Sequence, residues 1–192
     1  MQAITVRPQW AFAMLTLGKR IENRAFVPEG LFGARIALHS GKHVGGTPSA
    51  PATARGFREL ACDMIRVGYL AAPVWFKGEE PFLAWQPIGA TDRKSSYVLR
   101  DDDCPKGVVF ATATIGRFVG NVPDEYIPPW AHEGSEWWIL EEFRTLINPV
   151  PCSGQQGVWK LPDHVLRAVT CDGSPPMEMS STEDKKQPEL KG

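Results

Sequence analysis

Cysteine is scarce and scattered in this sequence. The four present, Cys62, Cys104, Cys152 and Cys171, never fall in a C-x-x-C pair, which argues against a zinc ribbon and against a small disulfide scaffold. His39 and His43 stand four apart, but Gly41 between them opposes the helix that would turn both toward one metal. No metal and no cofactor is expected. Long apolar runs are missing too, and nothing approaches the ~20 residues that cross a bilayer as a helix. The start, MQAITVRPQW, has no sustained apolar stretch before Arg7 and Pro8, so no secretory leader is read there. A reducing, cytoplasmic-type compartment and no membrane partner are expected. Excess charge of one sign is also lacking, since 21 Lys and Arg against 22 Asp and Glu leave −1. No global basic field draws in nucleic acid, so any such binding must come from a local patch. No internal repeat is visible.

What is present is an ordinary globular balance, 43% hydrophobic and 22% charged over 192 residues, which suits one domain with decorations and a real core. AITVR (3–7) reads as a strand. Pro8 fits the first turn of a helix, QWAFAMLTL continues it with apolar groups on most sides, and Gly18 stops it. RIENR follows as extended chain, and GARIALHS (33–40) as a clearer strand. Residues 41–51 read as a loop. From Ala52 to about Arg66, Phe57, Leu60, Ala61, Met64 and Ile65 keep helical spacing. Residues 68–105 turn irregular around Pro73, Pro81 and Pro87, with Trp75, Phe76, Phe82 and Trp85 to order them as a hairpin or a lid. The acidic run 101–103 reads as a solvated turn.

GVVFATATIGRFV (107–119) is the best strand, apolar on both faces. NVPDEYIPPWAHEG reads as a loop with one helical turn at most. WWILEEFRTLI (137–147) reads as strand or helix, with its β-branched and aromatic content and Pro149 and Pro151 after it favouring a strand, and with at most one of Trp137 and Trp138 in the core. GVWKL (157–161) is a short strand, with Trp159 against the barrel, and Pro162 opens a short helix. Residues 171–192 are polar and apolar-poor, and a disordered tail is expected. Strands and helices out of βαβ order point to an α+β domain over 1–170, a small mixed or antiparallel sheet curled into a barrel and flanked by helices.

One short stretch draws the eye. GKRIENR (18–24) packs Lys19, Arg20, Glu22 and Arg24 just after an apolar helix. Taken alone, such a run reads as solvated surface. If 20–24 is extended, Glu22 and Arg24 share one face, while Ile21 and Asn23 share the other, with Ile21 toward the core. Lys19 sits at the helix-to-strand corner, where it can converge with Glu22. Arg7 and Trp10 open the helix beside the same corner, and His39, Ser40 and Lys42 end another strand. Polar residues at strand ends on a rigid frame are where sites form.

These pieces in order, ITVRPQWA, GKRIENR, ALHSGK, GVVFATATIG and NPVPCSGQQGVWKLP, resemble an ASCH-domain protein of the PUA-like superfamily over most of residues 2–165, with 68–105 as an insertion. Lys19, Glu22 and Arg24 keep the mutual spacing of that family's G-x-K-x-x-E-x-R motif. Gly18 adjoins Lys19 directly, RPQW inverts the usual Gln and Pro, and Ser153 replaces a frequent Lys. The resemblance implies a β-barrel with a cleft between barrel and helix, and a role in binding RNA or a modified nucleoside. One branch of the family hydrolyses N4-acetylcytidine with a Lys, a Thr and a Glu, and the position of its Thr holds Glu22 here. Other members resemble ribonucleases or RNA-binding modules.

The candidate site is therefore Lys19 and Glu22 for chemistry, with Arg7, Trp10, Asn23, Arg24, His39 and Ser40 for ligand binding. Cations at Lys19 and the arginines suit a phosphate or a carbonyl oxygen. Trp10 is either core or a stacking platform. Glu22 suits an exocyclic amine, or a water to be activated. His39 reads more readily as a satisfied strand-end histidine than as a catalyst or ligand. Gln155 and Gln156 can reach a ligand or simply solvate their loop, and Asp124, Glu125 and Glu133 read mainly as loop solvation. Three functions stay open: an RNA or nucleoside binding module, a hydrolase using Lys19 and Glu22, and a protein-interaction adaptor built on the aromatic insertion.

Overall fold

Pro8 divides the first strand from the first helix. The computed structural model describes residues 1–26, 28, 30–69, 74–75, 82–85, 97–117 and 127–171. In it β1 (Gln2–Val6) runs into α1 (Pro8–Thr16) through an extended Arg7, whose carbonyl accepts from the Trp10 and Ala11 amides at 2.9 and 3.1 Å. Proline suits that first turn, because its missing N–H has no intrahelical use there. Gly18 ends the run in the left-handed region, φ +68°, and the Leu17 and Lys19 amides both close on the Ala13 carbonyl. The chain reverses at that corner into β2 (Ile21–Arg24).

Next come β3 (Arg35–Ser40), a 3-10 turn at Val44–Gly46, and α2 (Ala50–Arg66). The Ser49 hydroxyl caps α2 by accepting from the Ala52 amide. The helix thus starts two residues before the expected Ala52, because Pro51 is tolerated in a first turn. Three short strands follow, β4 (Val74–Trp75), β5 (Phe82–Trp85) and β6 (Tyr97–Arg100), paired antiparallel in a small sheet of order β4-β5-β6. Residues 101–103 form a 3-10 turn, with Asp101 and Asp102 paired to Lys106. The remaining elements are β7 (Val108–Arg117), β8 (Glu136–Pro151), β9 (Val158–Lys160) and α3 (Asp163–Thr170).

The main sheet has the order β2-β8-β7-β3-β1-β9. Among its described strands only β1 and β3 pair in parallel; every other pair is antiparallel. The architecture is α+β, a curled six-stranded half-barrel with three helices. Alternation along the strands serves two cores. Ile4, Val6, Ile36, Leu38 and Phe110 face the inside of the curl with Ala11 and Met14 of α1, while Ala3, Ala37 and Val109 face Val165 and Val169 of α3. Both faces of β7 are covered, as its unbroken apolar sequence requires. A third core joins Phe57, Leu60 and Met64 of α2 to Leu83, Trp85 and Leu99 of the small sheet.

One expectation needs correction. Pro149 and Pro151 do not end the strand at 147: β8 runs through both. Its register steps from Thr145 opposite Ala111 to Val150 opposite Val109. Pro149 therefore falls in a bulge, where a missing N–H breaks no ladder bond. PPWAHEG forms turns, in keeping with the loop expected there, with Trp130 at φ +71°. Of the tryptophan pair, Trp138 is core, whereas Trp137 is half-buried and donates to the His132 carbonyl. Pro73, Phe76, Pro81, Pro87, Asp124, Glu125 and residues 172–192 lie outside the described residues.

Candidate functional site

A cleft of ≈ 790 Å³ opens between the half-barrel and α2. The Gly18 corner and β2 supply Lys19, Glu22, Asn23 and Arg24, while Arg7 and Trp10 come from the β1–α1 junction. Lys19 is 2% exposed. Its Nζ donates to the Ile21 carbonyl, stands 4.0 Å from Glu22 Oε2, and lies 5.8 and 6.0 Å from the rings of Trp10 and Trp130. Burial pushes the Lys19 pKa below its ordinary 10.5. Glu22 and Asp63 pull it back upward, while Arg66 and Arg24 add to the depression.

Glu22 holds the centre, because its other oxygen takes Arg24 at 3.0 Å. The shared face expected of alternate residues in an extended β2 is what joins them. Arg24 also donates to the Thr5 carbonyl at 2.9 Å and lies 5.9 Å from the Trp138 ring. Its Nε is buried without a hydrogen-bond partner among the described residues, which costs about 1–3 kcal/mol unless an acceptor arrives. Asn23 has a different task. Its amide donates to the Trp130 carbonyl at 2.9 Å and accepts from the His132 amide at 2.8 Å, pinning that turn over Lys19.

α2 supplies the opposite wall. Arg55, Arg58, Glu59, Cys62 and Asp63 recur at helical spacing and line the cleft. Asp63 is buried and takes the His132 Nε2 at 2.9 Å on both oxygens. Glu59 accepts from Arg7 at 2.8 Å at the rim, with Arg55 at 4.0 Å. Such exposed pairs contribute only about 0–1 kcal/mol, so an incoming anion can displace them. The lining carries five cationic side chains against three carboxylates, a local positive surplus in a chain of net charge −1.

Two expected site residues lie elsewhere. His39 follows Leu38 at a bulge and turns to the α3 side, edge-on to Trp159 at 5.6 Å. Its Nε2 donates to the Cys152 carbonyl at 3.0 Å, and Nδ1 accepts from the Thr5 hydroxyl at 3.2 Å. Burial lowers its pKa, opposed by the Cys152 bond. The neutral ring is satisfied, and a Cβ on Gly154 would come within 2.3 Å of it. Ser40 is fully buried and donates to the Pro105 carbonyl at 2.5 Å. Among the described residues of the 68–105 stretch, none lines the cleft; the small sheet packs on the back of α2.

The sequence reading overlooked Arg55, Arg58, Glu59, Cys62, Asp63 and His132. Their signal was the polar stripe of an amphipathic α2, which looks the same whether it faces water or a cleft. Gln156, one of two glutamines with an open reading, does line the cleft. Among the described residues no three His, Cys, Asp or Glu side chains are grouped to hold a metal. No described helix is long and apolar enough to cross a membrane. No family model matches the sequence, and no curated protein matches it.

Proposed function

We propose that the chain is an ASCH-type, PUA-like module whose cleft binds a nucleotide, free or within RNA. The observation that carries this reading is the buried Lys19–Glu22 pair, joined to a half-buried Arg24 and beside a half-buried Trp10, inside a cleft with surplus positive charge. A cleft of ≈ 790 Å³ lies within the range of ligand sites. Trp10 offers a ring for a base to stack on, Glu22 an acceptor for an exocyclic amine, and Arg7, Arg55 and Arg58 a cationic rim for phosphate. The near-neutral chain favours a short ligand, because long RNA gains most from an extended basic surface.

The test is a titration of 5′-mononucleotides and short single-stranded RNA over a salt series. Two or three rim contacts give an expected affinity loss of about tenfold between roughly 50 and 200 mM salt. Arg7→Ala, at a half-exposed position paired only at the rim, is expected to flatten that slope. Binding that ignores salt, or none at all, overturns the reading.

Hydrolysis of an acylated nucleoside is a second reading, favoured by the desolvated Lys19 beside Glu22. Glu22 would take a proton from water as its oxygen adds to the acyl carbon, and Lys19 would steady the oxyanion. The C–N bond would then break, with the amine leaving protonated and the acid released. N4-acetylcytidine is the substrate to try. Acetate release that disappears in Glu22→Gln is the expected result, and no release from the wild-type protein removes this reading while leaving binding intact.

A further inference from the structure

The half-barrel does not close. β2 and β9 are the two ends of the sheet order, and between them lies a second hollow of ≈ 460 Å³. Its walls are Ile4, Phe26, Trp138 and Val158, with Arg24 and Gln156 on its border. Those last two residues also line the larger cleft, so the hollows adjoin across one guanidinium and one amide. Arg24 spans the gap itself, reaching from β2 to the Thr5 carbonyl of β1 while held by Glu22. Its Nε has no acceptor among the described residues. Phe26 is 68% exposed at the mouth, and its carbonyl takes the Trp138 indole N–H at 3.3 Å. An aromatic ring left in solvent over an apolar hollow floored by the buried Trp138, next to a cationic bridge, suits a stacked base flanking a phosphate.

We propose that this seam is a second base-binding subsite, so that the ligand is a strand of at least two nucleotides rather than a lone nucleoside. The proposal rests on the nucleotide reading of the larger cleft. One base occupies that cleft beside Trp10, the linking phosphate passes Arg24 and Gln156, and the next base enters the seam against the exposed ring of Phe26. A nucleobase fits better than an aliphatic occupant, because the border is charged and hydrogen-bonding while Phe26 offers an exposed aromatic face.

The experiment compares adenosine 5′-monophosphate with the dinucleoside monophosphate adenylyl-adenosine, by calorimetry on the full chain. The dinucleotide is expected to bind at least about tenfold more tightly, the range of one stacked base. Phe26→Ser is expected to erase that advantage and Phe26→Tyr to keep it. Phe26 is exposed and does not line the larger cleft, so both variants are expected to fold and to hold the mononucleotide as before. Equal affinity for the two ligands, or an advantage untouched by Phe26→Ser, overturns the second subsite and leaves the first in place. If neither ligand binds, the nucleotide reading falls and this proposal with it. Binding only of an extended peptide, added as a strand to the open sheet edges, likewise overturns it.

Discussion

Alanine at Gly45 is expected to cost the fold about 2–5 kcal/mol, from left-handed strain and a backbone collision together. Gly45 sits at φ +74° in the 3-10 turn before α2, and a Cβ there would come 1.9 Å from the Ala52 carbonyl oxygen. That oxygen belongs to helix backbone, so no side chain can swing aside. The turn is held from both helices: the Gly45 amide donates to Gln9 Oε1 of α1, and its carbonyl accepts from Arg55 of α2. For a chain of this size the loss is expected to lower Tm by roughly 10 °C, read by circular dichroism melting. Gly33→Ala is the control, because φ is +75° there but nothing lies within 4 Å of the added carbon. It carries strain alone, on the order of 1–2 kcal/mol. Gly56→Ala is the converse case. Helix propensity favours alanine in mid-helix by ~1 kcal/mol, yet its Cβ would stand 2.6 Å from the Gly45 amide nitrogen. A stabilised Gly56→Ala, or a Gly45→Ala no worse than Gly33→Ala, would show that the close approach does not seat α2. If it does seat α2, the same substitutions displace the wall that carries Arg55, Arg58, Glu59 and Asp63.

That dependence explains what the sequence could and could not say about the site. The Lys19–Glu22–Arg24 corner was legible because it is local. A glycine stop and a period of two fix which side chains share a face within seven residues. The strands β1, β3 and β7 were legible for the same reason. The α2 wall was not, because its approach is set by Gly45 against Ala52 and Gly56, a steric fact that no periodicity records. His39 is the satisfied strand-end histidine its position favours, and its place among the ligand candidates fails for a related reason. Strand-end position suggested a site, but the bulge after Leu38 and the cover of Trp159 decide its side. Pro149 misled because a breaker in a regular strand is harmless in a bulge, and the bulge depends on the partner β7. The aromatic insertion offered a lid on composition alone, while its buried residues fill the back of α2.

Lys19→Met and Glu22→Ala are expected to move stability in opposite directions while both lose ligand. Removing Glu22 leaves a lysine that is 2% exposed and an adjacent guanidinium without their nearest carboxylate. Breaking a buried pair this way costs about 3–5 kcal/mol, a Tm loss of roughly 10 °C at this chain length. Methionine at 19 instead removes the ion whose burial is the cost, fills similar volume, and leaves Glu22 bound to Arg24 at 3.0 Å. Its fold is expected to be as stable as the wild type or more so, by up to a few kcal/mol, while nucleotide affinity falls at least tenfold. The pH dependence separates the two proteins further. The folded pKa of Lys19 lies below its ordinary 10.5, chiefly through desolvation. Between the lowered value and 10.5 the unfolded chain holds a proton that the folded chain has released, so stability rises with pH across that window. Below the lowered value both states are protonated, and the burial cost stands in full. Urea titrations over alkaline pH are therefore expected to show wild-type stability gaining on Lys19→Met as pH climbs toward 10.5. Parallel curves, or a Lys19→Met protein as crippled as Glu22→Ala, would mean that the ammonium is not held desolvated in the cleft, and the chemistry argued from it would go.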